Sequence, residues 1–256
     1  MIYIGTSGYS YKDWTGNFYP KAMKSADQLK FYSQEFNFLE VNYTFYRVPE
    51  ARSLEGMAKN VPDDFKFALK IHQTFTHDNG FNKDFRKALP ALGDKLVLLL
   101  AQFPYSFKFT DESKDHILHL AEFFQDYKVT FEFRHKSWIT GEALSFLKEA
   151  QLSIAAVDEP ALPGLLPPVV LDTGQVGYVR FHGRNYQKWW NSQEGHERYT
   201  YEYTPDELSE WLPRLRFLEQ SFKENYVAFN NHYAGGAVRA ARLLKELLTR
   251  HQMPFR

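Results

Sequence analysis

Apolar runs in this chain end repeatedly in polar or charged residues that fall on one alternation phase. FLEVNYTFYR carries Glu40 and Asn42, FKFALKIH carries Lys70 and His72, and LVLLLAQF carries Gln102. KVTFEFRH carries Glu132 and Arg134, and SIAAVDEP carries Asp158. GYVRFHGR carries Arg180 and His182, and YVAFNNHY carries Asn230 and His232. One step out of phase stand Val41, Leu69, Ile71, Val97, Leu99, Phe131, Phe133, Val157, Val179, Phe181, Val227 and Phe229. Successive side chains of a strand point to opposite faces. Each strand is therefore expected to send oily residues one way and a polar set the other, near its C-terminal end. Burying an unpaired charge is costly, so the polar sets need a shared compartment.

Strands are expected near residues 2–7, 38–45, 65–71, 95–102, 128–134, 152–158, 176–182 and 225–231. Helical stretches are expected near 25–36, 50–59, 81–90, 112–126 and 140–150, from 204 onward, and over 236–250. Ser25 has the chemistry of an N-cap. Thr204-Pro205-Asp206-Glu207 supplies the cap, the first-turn proline and the glutamate of a capping box. After the sixth strand, EPALPGLLPPVV holds too many prolines for a long helix. Residues 1–256 thus read as a single α/β domain, a (β/α)8 TIM-type barrel. A doubly wound open sheet is the alternative. Its strands, covered on both faces, should be apolar in both phases, and these are not.

Lys and Arg together number 31, as do Asp and Glu, so the formal net charge is zero. That balance argues against a broad footprint for duplex nucleic acid and leaves a small nucleotide in a pocket open. The chain has no cysteine, which excludes disulfides, thiolate zinc sites, cysteine-ligated iron–sulfur clusters and a cysteine nucleophile. No stretch is long and apolar enough to span a membrane, and MIYIGTSG enters a strand without a secretion signal's features. A cytoplasmic protein without membrane contact is expected. Aromatics make up 17% of residues, mostly suited to a core. One aromatic loop, residues 186–203, is placed to fold over a barrel mouth and exclude water.

Three constellations carry chemistry. Glu132 and Arg134 should enter the barrel together, with His135 and Trp138 just beyond; arginine offers paired donors to an anion and glutamate an acid or base. Arg180, His182 and Arg184 form the second, with an imidazole that titrates near neutrality. Asn230 and Asn231 precede Gly235-Gly236 and a helix, a start suited to an anion, and barrels often bind phosphate after strands seven and eight. Glu40, Asn42, Tyr46, Lys70, Gln102 and Asp158 complete the ring. A plain structural role competes at every position. Three inward acids (Glu40, Glu132, Asp158) balance three inward bases (Lys70, Arg134, Arg180), and such groups can simply pair. Arg47 and Arg184 at the rim tip the mouth positive.

Together these segments resemble the YecE-like family, a domain of unknown function. The resemblance runs through Gly5-Thr6-Ser7-Gly8-Tyr9-Ser10-Tyr11, Trp14, Phe18-Tyr19-Pro20, Glu40-Val41-Asn42 and Phe45-Tyr46-Arg47. It continues in Phe67-Ala68-Leu69-Lys70, Thr76-His77, Leu100-Ala101-Gln102-Phe103-Pro104, Glu132-Phe133-Arg134-His135 and Ser137-Trp138. Val157-Asp158, Val179-Arg180-Phe181-His182-Gly183-Arg184, Phe229-Asn230-Asn231-His232 and Gly236-Ala237 complete it. It implies a TIM-type barrel and these candidate positions, but no reaction. At His232 the chain departs from the family pattern, which has an acidic residue there.

The leading expectation is an enzyme acting by general acid–base chemistry on a small anionic ligand at the barrel mouth, with Glu132 and His182 moving protons. Its alternatives are a non-catalytic nucleotide- or anion-binding module and a metal-assisted hydrolase or nuclease. No cofactor is predicted; a divalent metal would use Glu132, Asp158 and His182, against neighbouring Arg and Lys that disfavour a cation.

Overall fold

In the computed structural model, which describes every residue except 79, 195 and 196, strands alternate with helices along the chain. The strands are β1 (Ile2–Ser7), β2 (Phe38–Val41), β3 (Lys66–Lys70), β4 (Leu96–Gln102), β5 (Val129–Glu132), β6 (Ser153–Asp158), β7 (Gly177–Phe181) and β8 (Asn225–Phe229). All pair in parallel with their sequence neighbours, and β1 pairs β8, closing the barrel. The open sheet is thereby overturned, because neither β1 nor β8 is left as an edge.

The alternation places two separate cores. Leu39, Leu69, Leu99, Phe131, Val179, Phe181, Val227 and Phe229 face outward and join the helix layer. Phe38, Ala68, Leu98, Leu100, Tyr178, Tyr226 and Ala228 fill the lower interior. Val97 joins this inner group because the register between β3 and β4 shifts by a residue at Phe67/Ala68. Above the inner layer, toward the C-terminal strand ends, the interior turns ionic.

Helices are α1 (Gln28–Tyr32), α2 (Ala51–Lys59), α3 (Gln73–Thr76), α4 (Lys83–Ala88), α5 (Asp111–Phe123), α6 (Gly141–Glu149), α7 (Pro205–Ser209), α8 (Leu212–Ser221) and α9 (Gly236–Arg250). Thr110 and Thr140 cap α5 and α6, and Thr204 with Glu207 forms the expected capping box. Pro213 cannot donate a hydrogen bond to the turn before it, and the helix from 204 divides into α7 and α8. Ser25 opens a 3-10 turn rather than capping α1. Residues 159–176 hold no helix, as their prolines predict. No described helix is long and apolar enough to cross a membrane.

Candidate functional site

An ionic layer crosses the barrel at the ends of β2, β5 and β7. Arg180 is its centre: Nε and Nη2 donate to the two Glu40 oxygens at 2.7 and 2.6 Å, and Nη1 donates to Glu132 Oε2 at 2.6 Å. Ser7 Oγ donates to Glu40 at 2.5 Å, and the Tyr178 phenol also bonds Glu40. Glu132 Oε1 lies 2.7 Å from Arg134 Nη2 and 3.2 Å from His182 Nε2, ionic approaches without hydrogen-bond alignment. Asn230 Nδ2 stands 3.0 Å from His182 Nδ1, which puts the proton of a neutral ring on Nε2, toward Glu132. Glu40, Glu132 and His182 are wholly buried. Glu132 and His182 thus touch one another but do not open onto solvent.

Above this layer lies a cavity of about 310 Å³. Lys70, Gln102 and Arg134 form its floor, and Phe45, Tyr46, His77 and Tyr105 its wall. Trp189, Trp190, Arg198 and Tyr199, from the aromatic loop, close it from above. Trp189 lies over the Arg134 guanidinium and, with Tyr199, beside the His182 ring. Lys70 Nζ donates to Gln102 Oε1 at 2.7 Å, and Arg134 Nη1 donates to Glu159 at 2.5 Å.

Several sequence candidates sit elsewhere. Asp158 was assigned to the interior, but its register partner is the outward Phe181, whereas Val157 pairs with inward Arg180. Asp158 therefore lies behind the wall, accepting from Tyr203 and Trp211 at 2.6 Å each and from Arg184 at 2.7 Å. Glu159, the next inward residue, takes its place beside Arg134. Glu132 and His182 are thus together inside the barrel, while Asp158 lies behind the wall. Arg184 is taken by Asp158 and Glu210 rather than aimed at the mouth. Trp138 stacks outside the barrel on Phe133, and His135 caps the turn at Ser137. Asn231 donates to the Tyr201 carbonyl. Gly235 is left-handed at φ 80°, and a Cβ on Gly236 would sit 2.8 Å from the Asn231 carbonyl. These glycines serve a tight turn, and neither lines the cavity. Asn42 is half-buried above Glu40, its Oδ1 without a hydrogen bond among the described residues.

The model of the family described as "Protein of unknown function DUF72" matches residues 3–255. The chain belongs to the DUF72 family. The UPF0759 protein YunF of Bacillus subtilis is 33% identical over 97% of this chain and 95% of its own. The DUF72 family protein TM1631 of Thermotoga maritima is 36% identical, with a TM-score of 0.87 over 97% of this chain and 99% of that one. EF0366 of Enterococcus faecalis, also a DUF72 family protein, is 25% identical with a TM-score of 0.85, covering 97% and 96%. The YecE-like resemblance and the barrel are both borne out.

In this DUF72 protein burial and neighbouring charges move the expected pair and its neighbours away from their ordinary titration. Burial, reinforced by Arg134 and Arg180, lowers His182 to about 3, so its ring is neutral. Burial pushes the Glu132 carboxyl up, but Arg134 and Arg180 outweigh it and hold it well below the usual carboxylate range. Both are locked in one protonation state near neutrality. Lys70 differs: burial and the Arg180 charge bring its amine down to about 7. Burial likewise lifts Glu159 to about 7 against the pull of Arg134. Groups poised near neutrality are the ones able to exchange protons there. Glu159 escaped sequence reasoning because the more conspicuous Asp158 precedes it. Arg198 was missed because a loop has no alternation to read, and His77 entered only through the family resemblance.

Proposed function

We propose that this protein is an enzyme that binds a small anionic ligand, most simply a phosphorylated one, in the 310 Å³ cavity and moves protons on it. One observation carries the reading: Lys70, Arg134 and Arg198 all line the cavity, and no Asp or Glu is among its lining residues. Arg134 is partly offset by Glu132 and Glu159 behind it. Arg198 forms no ion pair among the described residues; its Nη2 donates to Ser192 Oγ at 3.4 Å, and its buried Nε has no hydrogen-bond partner among them. Lys70, poised at about 7, is the acid–base group in place of the sealed Glu132–His182 pair. Glu132 and Arg180 act as the frame that holds Arg134 in place. The exposed faces of Tyr46 and Trp190 at the rim suit an apolar or planar part of the ligand. The cytoplasm expected from the sequence belongs to this proposal.

Inorganic phosphate and pyrophosphate, titrated against the fluorescence of Trp189 and Trp190, test it. Saturable quenching is expected, with Arg198→Gln weakening binding about 10-fold, roughly 1.4 kcal/mol of a charge-assisted contact. Equal affinity in wild type and variant would sink the reading. Binding of a phosphorylated substrate with no turnover, unaffected by Lys70→Met, would leave an anion-binding module in its place.

A further inference from the structure

We propose that Lys70 is a nucleophile whose amine condenses with the aldehyde or ketone of a small anionic compound to form an imine, while Arg134 and Arg198 hold the anionic group. The inference rests on the anion reading above and adds the functional group that the anion carries.

The geometry singles out Lys70 within its ring. Glu40 and Glu132 are taken by Arg180, and Glu159 by Arg134. Lys70 forms no ion pair among the described residues; its one hydrogen bond goes to the neutral Gln102 amide oxygen. Gln102 is itself fixed, donating Nε2 to the Phe103 carbonyl at 2.8 Å. An amide oxygen accepts from a neutral amine as well as from an ammonium, so this contact positions Nζ without demanding a charge. A lysine placed for charge balance would face a carboxylate. Lys70 instead sits at the end of a rigid strand, on a cavity floor, beneath a lid of rings.

Two effects bear on the amine's charge. The Phe45 face, 3.9 Å from Nζ, and the charges of Glu132 and Glu40 favour the ammonium. Desolvation and the guanidiniums of Arg180 and Arg134 favour the neutral amine, and they prevail. A desolvated lysine beside another cation is the usual setting of an imine-forming amine.

The step balances without oxidant or reductant. Neutral Nζ attacks the carbonyl carbon, the C–N bond forms, and the π pair moves to oxygen. One proton passes from nitrogen to that oxygen. A second follows as the C–O bond breaks, leaving C=N and water. His77, on the cavity wall, can relay these protons: burial and the neighbouring Lys70 lower it, which favours the neutral ring. Protonated, the imine draws electrons from the adjacent carbon, which becomes the centre for proton transfer; with Nζ held in the C=N bond, His77 takes over the acid–base role there.

Pyridoxal 5′-phosphate, an anionic aldehyde, is the probe, followed by borohydride reduction and peptide mapping of the wild-type protein. At pH 7.5 Lys70 should be labelled on the order of 10- to 100-fold faster than the average lysine, given its larger neutral fraction. Inorganic phosphate should slow that labelling. Label confined to other lysines, at rates unchanged in Lys70→Met, overturns the inference. If phosphate still quenches the tryptophans in that protein, the anion reading stands alone. Equal labelling of Lys70 by uncharged pyridoxal, with no protection by phosphate, keeps the nucleophile and overturns the anion reading.

Discussion

His182 sits beside Glu132 and Glu159 beside Arg134, and both are held out of their ordinary charge states. Their effects on stability oppose one another. In the unfolded chain the imidazole titrates near 6.5, whereas in the fold it stays neutral down to about 3. Below pH 6.5 the unfolded state binds a proton that the folded state refuses, so this group lowers stability as pH falls. Glu159 does the reverse: from about pH 7 down to 4.5 its folded form binds the proton first, so stability rises as pH falls. Between pH 4.5 and 6.5 the two largely cancel. We therefore predict that His182→Gln becomes relatively more stable as pH drops through this window, and Glu159→Gln relatively less. Each should change relative to wild type by about 1.4 kcal/mol per pH unit. Urea unfolding across the window checks this, and parallel pH profiles for both variants would contradict it.

At the scale of elements, two glycines make a contrast that the structure decides. Gly236 opens α9 against the Asn231 and Tyr201 carbonyls, so Gly236→Ala should cost about 1–3 kcal/mol through overpacking. Gly56 lies within α2 with open space around it, so Gly56→Ala should add about 0.5–1 kcal/mol. Thermal unfolding of the two variants should move in opposite directions. The strands themselves were legible because Val179/Arg180/Phe181/His182 and Phe131/Glu132/Phe133/Arg134 contrast sharply in polarity at every step. In β6 that contrast is missing. Its inward Ser153 and Ala155 are small, its outward Ile154 and Ala156 are apolar, and two acids end the run, so hydropathy leaves the face of each undecided. The loop over 186–203 announced a cover by its rings, while the cation it contributes, Arg198, has no periodicity to mark it.

For the whole molecule, a sealed ionic layer beneath an aromatic-lidded cavity implies coupling between ligand and stability. Phosphate at 100 times its Kd should stabilise the fold by about 2.7 kcal/mol, read as a rise in Tm that Arg198→Gln, bound about 10-fold more weakly, should show at only about half the size at the same concentration. A Tm independent of phosphate would count against the site. The neighbours Asp158 and Glu159 add a constraint of another kind. One carboxylate anchors the root of the lid outside the wall, through Arg184, and the next anchors Arg134 inside it. Their division of labour depends on parity along β6. A single inserted or deleted residue in that strand would exchange the two acids across the wall, stranding Trp211 and Tyr203 on one side and Arg134 on the other. Length variation among descendants of this chain is therefore expected to come to the proline-rich segment after residue 159, and to leave the spacing of Ser153 to Glu159 untouched.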